Sequence, residues 1–322
     1  MSLNGSTVTT LNTFDSYDAK GIREDLANII SRIDPTETPF QSNVGKTSVS
    51  NTYFEHQTQA LAAADADNAH IDGDDTAAAA VTGTVRVGGR TQIFKKSFTL
   101  SGTLEATDRA GRAKEAGYQA LLKGLELRRD KEARFVGNKA SVTGNATAAR
   151  QTAGIQAWLT SNVSRGASGA NGGFSSGNVT AATNGTQRSY TETLLKAVNQ
   201  SVYTSGGKAK MLMMGPAQKT VFSGFAGLAE TRVNDPSGQT SIIGGADRYV
   251  SDFGTLTTTV NLFQDARSAL LIDPSKAKIA TLRPMKQEKL AKTGDADKYQ
   301  IVCEEGLMVE NEAAHGIVAD LS

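Results

Sequence analysis

Apolar and polar positions follow a helical period over one long stretch of the chain, from Thr103 to Asn138. Residues three and four apart form a continuous apolar stripe, made of Ala110, Ala113, Gly117, Leu121 and Leu125. Thr103 is suited to cap the first turn, and Gly137-Asn138 to supply the left-handed residue that ends a helix. The pattern predicts one helix of about 50 Å, several turns longer than the average helix of a compact domain.

Charges flank this stripe in pairs of opposite sign four residues apart, namely Asp108 with Arg112, Arg128 with Glu132, and Asp130 with Arg134. Such pairs contribute only a few tenths of a kcal/mol each, so they are expected to keep an exposed face soluble. Three glycines, each costing about 1 kcal/mol relative to Ala, interrupt the helix: Gly111, Gly117 and Gly124. They indicate close backbone approach or bending along one side, and an ordinary long core helix is the alternative.

The first 17 residues are rich in Thr, Asn and Ser and predict an arm without structure of its own. Asp18 then opens a short helix whose apolar face consists of Ile22, Leu26, Ile29, Ile30 and Ile33. The extended segment from Pro35 to Phe40 follows. An apolar face without a local partner predicts docking, either on the protein's own body or on a neighbour.

Residues 46–100 have the pattern of an extended two-stranded flap. The outgoing run TSVSNTYFEH favours a strand, and the return run has Val81, Val85 and Val87 at alternate positions, continuing through Phe94 and Phe98. An Ala/Asp-rich tip, LAAADADNAHIDGDDTAAAA, joins the two. Because two strands alone are marginally stable in water, this flap predicts a partner.

The flap is also polarised by charge. Acidic residues crowd its tip, and basic residues follow on the return stem: Asp65, Asp67, Asp72, Asp74 and Asp75, then Arg86, Arg90, Lys95 and Lys96. The acidic tip of one copy could therefore meet the basic stem of another. A calcium loop is the alternative, but a ligand position falls on Ala69 and no glutamate closes a twelve-residue loop. The sequence predicts no metal site.

The rest of the chain divides into an irregular insertion, an α/β lobe and terminal strands. Residues 139–189 are rich in Gly, Ser and Asn, with apolar weight only in AGIQAWL. Residues 191–272 alternate helix and strand signals, with Pro216 at the start of one helix and ALLIDP as a buried strand. Residues 276–322 predict several short strands packed beside the long helix. Together these signals predict an α+β fold.

Composition narrows the function. The 322 residues carry 34 basic and 33 acidic side chains, a formal net charge of +1, which argues against tight nucleic-acid binding. The single cysteine, Cys303, excludes an intrachain disulfide and fits a buried structural thiol in a reducing compartment. No signal peptide and no window of about 18 consecutive apolar residues occur, so no membrane association is predicted.

Candidate chemistry is sparse. The three histidines, His56, His70 and His315, belong to no metal or nucleophile motif. Four carboxylates crowd the last strands, Glu304, Glu305, Glu310 and Glu312. Alternation along solvated strand faces, or pairing with basic residues of the long helix, accounts for them better than acid–base catalysis does. We predict no catalytic residues, no cofactor and no enzyme activity. A hydrolase using Glu304 and a carbohydrate-binding or adhesion protein with a Gly/Asn-rich insertion are the alternatives.

Several long stretches resemble the major capsid proteins of tailed bacteriophages with the Hong Kong 97-like fold, in the phage SU-ten-like branch. They are DAKGIREDLANII with DPTETPF, FEHQTQALAAADADNAHIDGDD, TLEATDRAGR through ELRRDKEARFVGN, ARQTAGIQAWL, and LRPMKQEKLAKTGD with VENEAAHG. They extend in order from Asp18 to Gly316 and cover nearly the whole chain.

The resemblance implies a division of the chain into an amino-terminal arm (1–45), an extended β-hairpin loop (46–100), a peripheral domain with the long spine helix and the insertion (101–190), an α/β axial domain (191–272) and strands returning to the peripheral domain (273–322). It implies hexamers and pentamers of an icosahedral shell that encloses double-stranded DNA without sequence-specific binding, in a virion assembled in the bacterial cytoplasm. A separate scaffolding protein, a portal and a decoration protein are the expected partners. The family's lysine crosslink is not expected, since no lysine lies between Ala60 and Arg90.

These arguments assign the assembly interface to the apolar face of the arm, the acidic tip and the basic stem. Its predicted residues are Ile22, Leu26, Ile30, Phe40, Asp65, Asp67, Asp72, Asp74, Asp75, Arg86, Arg90 and Lys95.

Overall fold

A computed structural model describes residues 34–73, 75, 80–107, 114–225, 232–234, 240–242 and 246–322. The α-helices in this part of the chain are α1 Pro39–Asn43, α2 Gly102–Ala106, α3 Glu115–Val136, α4 Ile155–Trp158, α5 Glu192–Thr204 and α6 Pro216–Ser223. The strands are β1 Gly45–Ser48, β2 Tyr53–Thr58, β3 Val85–Arg90, β4 Gln92–Ser101, β5 Val163–Ser164, β6 Gly173–Ser175, β7 Asn178–Thr180, β8 Met211–Met214, β9 Arg232–Asn234, β10 Thr240–Ile242, β11 Arg248–Ser251, β12 Gly254–Val260, β13 Ser268–Ile272, β14 Ala277–Lys289, β15 Ala296–Val309 and β16 Gly316–Ala319. Short 3-10 turns, Pro274–Lys276 and Glu312–Ala314, precede β14 and β16.

Two sheets organise the fold. The four-stranded sheet has the order β1-β14-β15-β4, and all its pairs are antiparallel except β1 with β14. The six-stranded sheet has the order β11-β12-β8-β13-β16-β5. Strands β8 and β13 are buried on both faces, which explains why their sequences, MLMM and SALLI, are almost entirely apolar.

The six-stranded sheet lies between two hydrophobic cores. Met211 and Met213 of β8 face a core shared with α3, α4 and the four-stranded sheet. Leu212 and Met214 face the opposite core, which includes residues of α5 and α6. Because side chains alternate between the faces of a strand, one short apolar run contributes to both cores.

The long helix is shorter than predicted and packs through a different face. Its stretch contains two separate helices, α2 and α3, because Thr107 and Lys114 have extended backbone conformations. Ser101, rather than Thr103, caps α2 by accepting a hydrogen bond from the N–H of Leu104 at 3.2 Å. Val136 ends α3, and Gly137 is extended (φ −71°, ψ 164°) rather than left-handed. The predicted residues Asp108, Ala110, Gly111, Arg112 and Ala113 lie outside the described residues.

The buried face of α3 contains Leu127, Lys131, Glu132, Phe135 and Val136, whereas Leu121 of the predicted stripe is 54% exposed. Long aromatic and aliphatic side chains from the second half of the helix reach β4 and β15, as shown by the edge-to-face contact of Phe94 with Phe135 (centroids 6.0 Å apart). A Cβ added at Gly117 or Gly124 would meet nothing within 4 Å, so close backbone approach does not explain these glycines within one copy.

The terminal strands are longer than predicted. YQIVCEE and the first three residues of LMVENE belong to one strand, β15, which passes through Gly306 without interruption and ends at Val309. A Cβ at Gly306 would lie 2.4 Å from the carbonyl oxygen of Arg90, so this glycine allows the end of β3 to approach the sheet closely. Strand β16 pairs with β13 in the six-stranded sheet instead of joining β14 and β15, a difference from the predicted return of all terminal strands to the long helix.

The chain passes between the two sheets through two neighbouring connections. One leaves β13 through Asp273 and enters β14, and the other leaves β15 and enters β16 through His315. The backbone N–H of Asp273 donates to Nδ1 of His315 at 3.2 Å and joins the two connections. Within the described residues, no helix combines the length and apolar character needed to cross a bilayer.

Candidate assembly interface

The flap has a paired stem and an unsupported tip. Strands β2 and β3 pair from Tyr53 with Arg90 to Thr58 with Val85. Beyond Thr58, every described residue up to Thr84 is exposed. Three apolar side chains of the tip are almost fully in water: Leu61 (97% exposed), Ile71 (80%) and Val81 (93%). Isolated apolar residues on a surface are ordinary, but three on one projecting segment favour contact with another surface.

The predicted acidic residues of the tip are exposed wherever the structure describes them. Asp65 accepts a hydrogen bond from the backbone N–H of Asp67 at 3.0 Å. The carboxylates of Asp67 and Asp72 have no ion pair or hydrogen bond with any described residue. Asp75 is exposed, and Asp74 lies outside the described residues. Among the residues that the structure describes, no group of three His, Cys, Asp or Glu side chains is placed to hold a metal ion.

The predicted basic residues of the stem differ in their availability. Arg86 pairs with Glu55 across the stem. Arg90 stacks over the ring of Tyr53 (4.7 Å to the centroid) and donates to Asn178 Oδ1 at 3.1 Å. Its second guanidinium bond goes to the carbonyl oxygen of Gly177 at 3.2 Å, so Arg90 attaches the β6–β7 hairpin to the stem instead of projecting towards a neighbour.

Lys95 and Lys96 lie on opposite faces of β4. Lys96 faces α3 and pairs with Asp130 at 2.7 Å. Lys95 is exposed and has no charged partner among the described residues. Of the three basic residues assigned to the interface, only Lys95 is unpaired.

A buried carboxylate fixes the root of the flap. Glu304, on β15, accepts hydrogen bonds from Thr91 Oγ1 and Arg283 Nε, both at 2.9 Å, and pairs with Arg150. Arg150 also donates to the carbonyl oxygen of Thr91 at 2.8 Å. Both oxygens of Glu304 are therefore engaged in holding the stem, the sheet and the insertion together, which is a structural role. This geometry gives no support to a hydrolase based on Glu304.

The neighbouring Glu305 pairs with Lys131 of α3 at 2.9 Å, so the predicted pairing between the terminal carboxylates and the long helix is confirmed for these two residues. Cys303 is buried, and burial raises the pKa of its thiol to about 11. The prediction of a buried structural thiol is confirmed.

The end of the arm is anchored on α3 by Glu132. Its Oε1 accepts from the backbone N–H of Phe40 and from Asn261 Nδ2, both at 2.7 Å. Its Oε2 accepts from the N–H and the Nε2 of Gln41, at 3.1 and 2.9 Å. Four donors thus surround one fully buried carboxylate. Because the N–H groups belong to the first turn of α1, they also point the positive end of that helix at the charge.

Phe40 is fully buried in the core that surrounds α3. Its assignment to the interface was wrong, because a side chain that its own chain covers completely has no surface left for a neighbour. Ile22, Leu26 and Ile30 lie outside the described residues.

Sequence reasoning missed Glu132 because a helical i,i+4 pattern paired it with Arg128, whereas its partners come from 91, 92 and 129 residues away. It also missed Leu61, Ile71 and Val81 as a group. Their signal was the presence of single large apolar residues in an otherwise Ala/Asp-rich segment.

Three comparisons identify the relatives of this chain. The family model described as SU10 major capsid protein matches residues 4–322. A major capsid protein of Escherichia phage Phieco32 is 28% identical over a 353-position alignment that covers 95% of this chain and 96% of the relative. These matches cover both sheets, the flap and the insertion.

Solved structures show the same fold at low sequence identity. The capsid of a native GTA particle superposes with a TM-score of 0.58 at 11% identity, over 98% of this chain and 100% of that one. A structure from Mycobacterium phage Adephagia gives 0.57 at 11% identity, over 92% and 94% of the two chains. A phage G structure that contains its major capsid proteins gives 0.55 at 10% identity and covers both chains completely.

The matched family and the curated relative are capsid proteins, and none of the matches reported above supports a carbohydrate-binding or adhesion function. The chain belongs to the SU10 major capsid protein family and has the Hong Kong 97-like fold of tailed-phage capsid proteins.

Proposed function

We propose that this member of the SU10 major capsid protein family assembles into hexamers and pentamers of an icosahedral shell. The shell encloses the double-stranded DNA of a tailed phage in the virion. The observation that carries this proposal is the flap tip, where Leu61, Ile71 and Val81 are 80–97% exposed. Nearby, the carboxylates of Asp67 and Asp72 have no ion pair or hydrogen bond with a described residue. A surface of this kind is stabilised when a neighbour covers it.

The assembly logic follows from interface geometry. A flap that leaves one copy and lies on another forms a head-to-tail contact, and repeating such a contact around an axis closes a ring. Residues 1–45 act as the arm, 46–100 as the extended loop, 101–190 as the peripheral domain, 191–272 as the axial domain, and 273–322 as strands returning to the peripheral domain. The contribution of β16 to the six-stranded sheet means that the last of these segments also supports the axial domain.

The net charge of +1 favours packing many copies side by side and holding DNA without strong or sequence-specific contacts. We further propose that a separate scaffolding protein guides assembly in the bacterial cytoplasm. A portal and a decoration protein complete the particle. The chain acts as a structural protein without catalysis.

The test is the particle size of the purified protein, measured by light scattering and electron microscopy, with and without a co-expressed scaffolding protein. We expect closed shells of uniform diameter. A protein that stays monomeric under every assembly condition would contradict the proposal.

A deletion of residues 60–79 separates assembly from folding. The deleted residues are exposed wherever the structure describes them, so the melting temperature of the subunit should stay within about 2 °C of the parent, whereas shell formation should weaken. Equal loss of melting temperature and of assembly would show that the flap tip stabilises its own subunit.

A further inference from the structure

The two faces of the four-stranded sheet differ. On β4, Phe94 and Lys96 point towards α3, where Phe94 meets Phe135 and Lys96 pairs with Asp130. The alternate residues of the strand point to the other face. There, Lys95 is exposed and Ile93 is 51% exposed. Helix α3 covers one face of this edge strand, and the other face is open to water.

The strand register extends this open face across the sheet. Lys95 lies directly opposite Val302 of β15, and Val302 lies directly opposite Lys286 of β14. Directly opposed residues in antiparallel strands share a face, so the two lysines flank one half-buried valine. Their Cα atoms are two strand spacings apart, or about 10 Å. Both ammonium groups therefore border the same small surface.

These two lysines carry little compensating charge. Lys95 has no ion pair with a described residue, and Lys286, whose side chain is 73% exposed, has only a 3.6 Å contact with Glu288. The other carboxylate of this face, Glu304, is buried and engaged by two arginines. We call Ile93, Lys95, Lys286 and Val302 the receiving patch.

We propose that the receiving patch binds the acidic flap tip of a neighbouring copy, with Asp67 and Asp72 beside the two lysines. This inference rests on the proposed shell function and identifies the surface that the flap covers. It replaces the basic stem as the target, because Arg86 and Arg90 are paired within their own chain.

The chemistry of the two surfaces is complementary. The segment 59–84 contains five aspartates and no lysine or arginine, so it carries charge of one sign only. It also exposes Leu61 and Ile71, and the patch exposes Ile93. Because the segment runs away from its stem and returns, only about half of its residues add to its reach, which is about 40 Å when extended. This reach is enough to cross onto an adjacent subunit. A tip of this composition and reach matches a surface that combines two lysines with an exposed isoleucine.

Charge reversal tests the pairing. In Lys95→Glu/Lys286→Glu, the subunit concentration needed for half-maximal assembly in the absence of DNA should rise roughly threefold to tenfold at low salt. Adding Asp67→Lys/Asp72→Lys to the same chain should restore it. The matched control is Lys139→Glu/Lys208→Glu, which reverses two exposed lysines elsewhere and should leave assembly near the parent value.

Disulfide trapping tests the proximity of two copies directly. Chains with Asp67→Cys and chains with Lys95→Cys are mixed, assembled and oxidised, and a covalent dimer should form only in the mixture. The native Cys303 is buried and does not compete. Because each chain carries one introduced cysteine at one of the two sites, the dimer reports contact between different copies.

Two results would overturn the inference while leaving the shell function intact. The first is normal assembly by the reversed patch; if DNA retention is then reduced, the lysines bind phosphate groups instead. The second is weakened assembly that the reversed tip does not restore, which would assign the patch to another partner. Failure of the parent protein to form particles would contradict the proposed function itself.

Discussion

Replacing Glu132 by Gln tests whether one carboxylate determines where the arm leaves the body. The glutamine keeps the shape of the side chain and one oxygen. Placed at the Oε1 position, that oxygen still accepts from the N–H of Phe40 and from Asn261 Nδ2. The new NH₂ group then faces the N–H and the Nε2 of Gln41, so the one oxygen that accepts two hydrogen bonds in the native site is replaced by a donor.

The magnitude follows from the two lost bonds. Hydrogen bonds to a charged group contribute about 1.5–3 kcal/mol each, so their loss costs about 3–6 kcal/mol. Removing the charge also removes the penalty of burying a carboxylate, which offsets part of this loss. We expect the free energy of unfolding to fall by about 2–4 kcal/mol, which is a large share of the usual stability of a domain.

Urea unfolding of the unassembled subunit measures this change, and limited proteolysis monitors the arm. Cleavage around residues 34–38 should accelerate, because the N–H of Gln41 in the first turn of α1 loses its acceptor. Asp130→Asn on the same helix is the matched control, since it removes an exposed ion pair with Lys96 and should cost no more than about 1 kcal/mol. If Glu132→Gln destabilises the subunit no more than this control, the carboxylate does not anchor the arm.

Three further predictions concern single residues. Burial lowers the pKa of His315 to about 4, below its unfolded value of about 6.5, so the unfolded chain binds the proton first. The contribution of His315 to the free energy of unfolding should be constant above pH 6.5, and it should fall by up to about 3 kcal/mol between pH 6.5 and 4. Denaturant titrations at several pH values should show a shallower decline in His315→Asn, and an unchanged slope would refute the assignment. Gly154→Ala places a Cβ 1.9 Å from the carbonyl oxygen of Gly137, so the free energy of unfolding should fall by about 3 kcal/mol or more. Gly117→Ala has open space around it, so the same quantity should rise by up to about 1 kcal/mol. Thermal unfolding measures both changes, and equal effects would contradict the packing argument. Thiol labelling of Cys303 at pH 8 should be at least about 100-fold slower in the native subunit than in denaturant, since its pKa is raised to about 11, and comparable rates would show that the thiol is accessible.

The sequence predicted elements best where one local signal was strong. Pro216 marked the start of α6, and the apolar runs MLMM and SALLI marked strands that are buried on both faces. The extent of α3 was predicted poorly, because Thr107 and Lys114 adopt extended conformations that no local residue preference requires. Gly306 was interpreted as a turn between strands, although its role is to admit the carbonyl oxygen of Arg90 at close range.

The predictions for the candidate interface also succeeded where a local signal was strong and failed where contacts between distant residues decided the outcome. Composition alone predicted an exposed acidic tip, since aspartates without nearby cations stay in water. Contacts between residues far apart in sequence, such as Arg90 with Asn178, decide which basic side chains are free to bind a neighbouring copy. A linear pattern of residues does not show such contacts. Phe40 was misassigned for this reason as well, because its burial depends on α3, which lies about 90 residues further along the chain.

The placement of β16 has a consequence for how this protein can be divided. Neither sheet is built from one continuous run of sequence, because β13 pairs with β16 and β14 pairs with β1, so each sheet borrows a strand from a distant part of the chain. A fragment of residues 191–272 would expose the edge of β13 along its whole length and lose the cover of one core. The lobes are therefore not modules that can be excised, exchanged between relatives or produced alone. A foreign segment would disturb the folding of the subunit least at the flap tip, but there it would interrupt the proposed contact with a neighbouring copy.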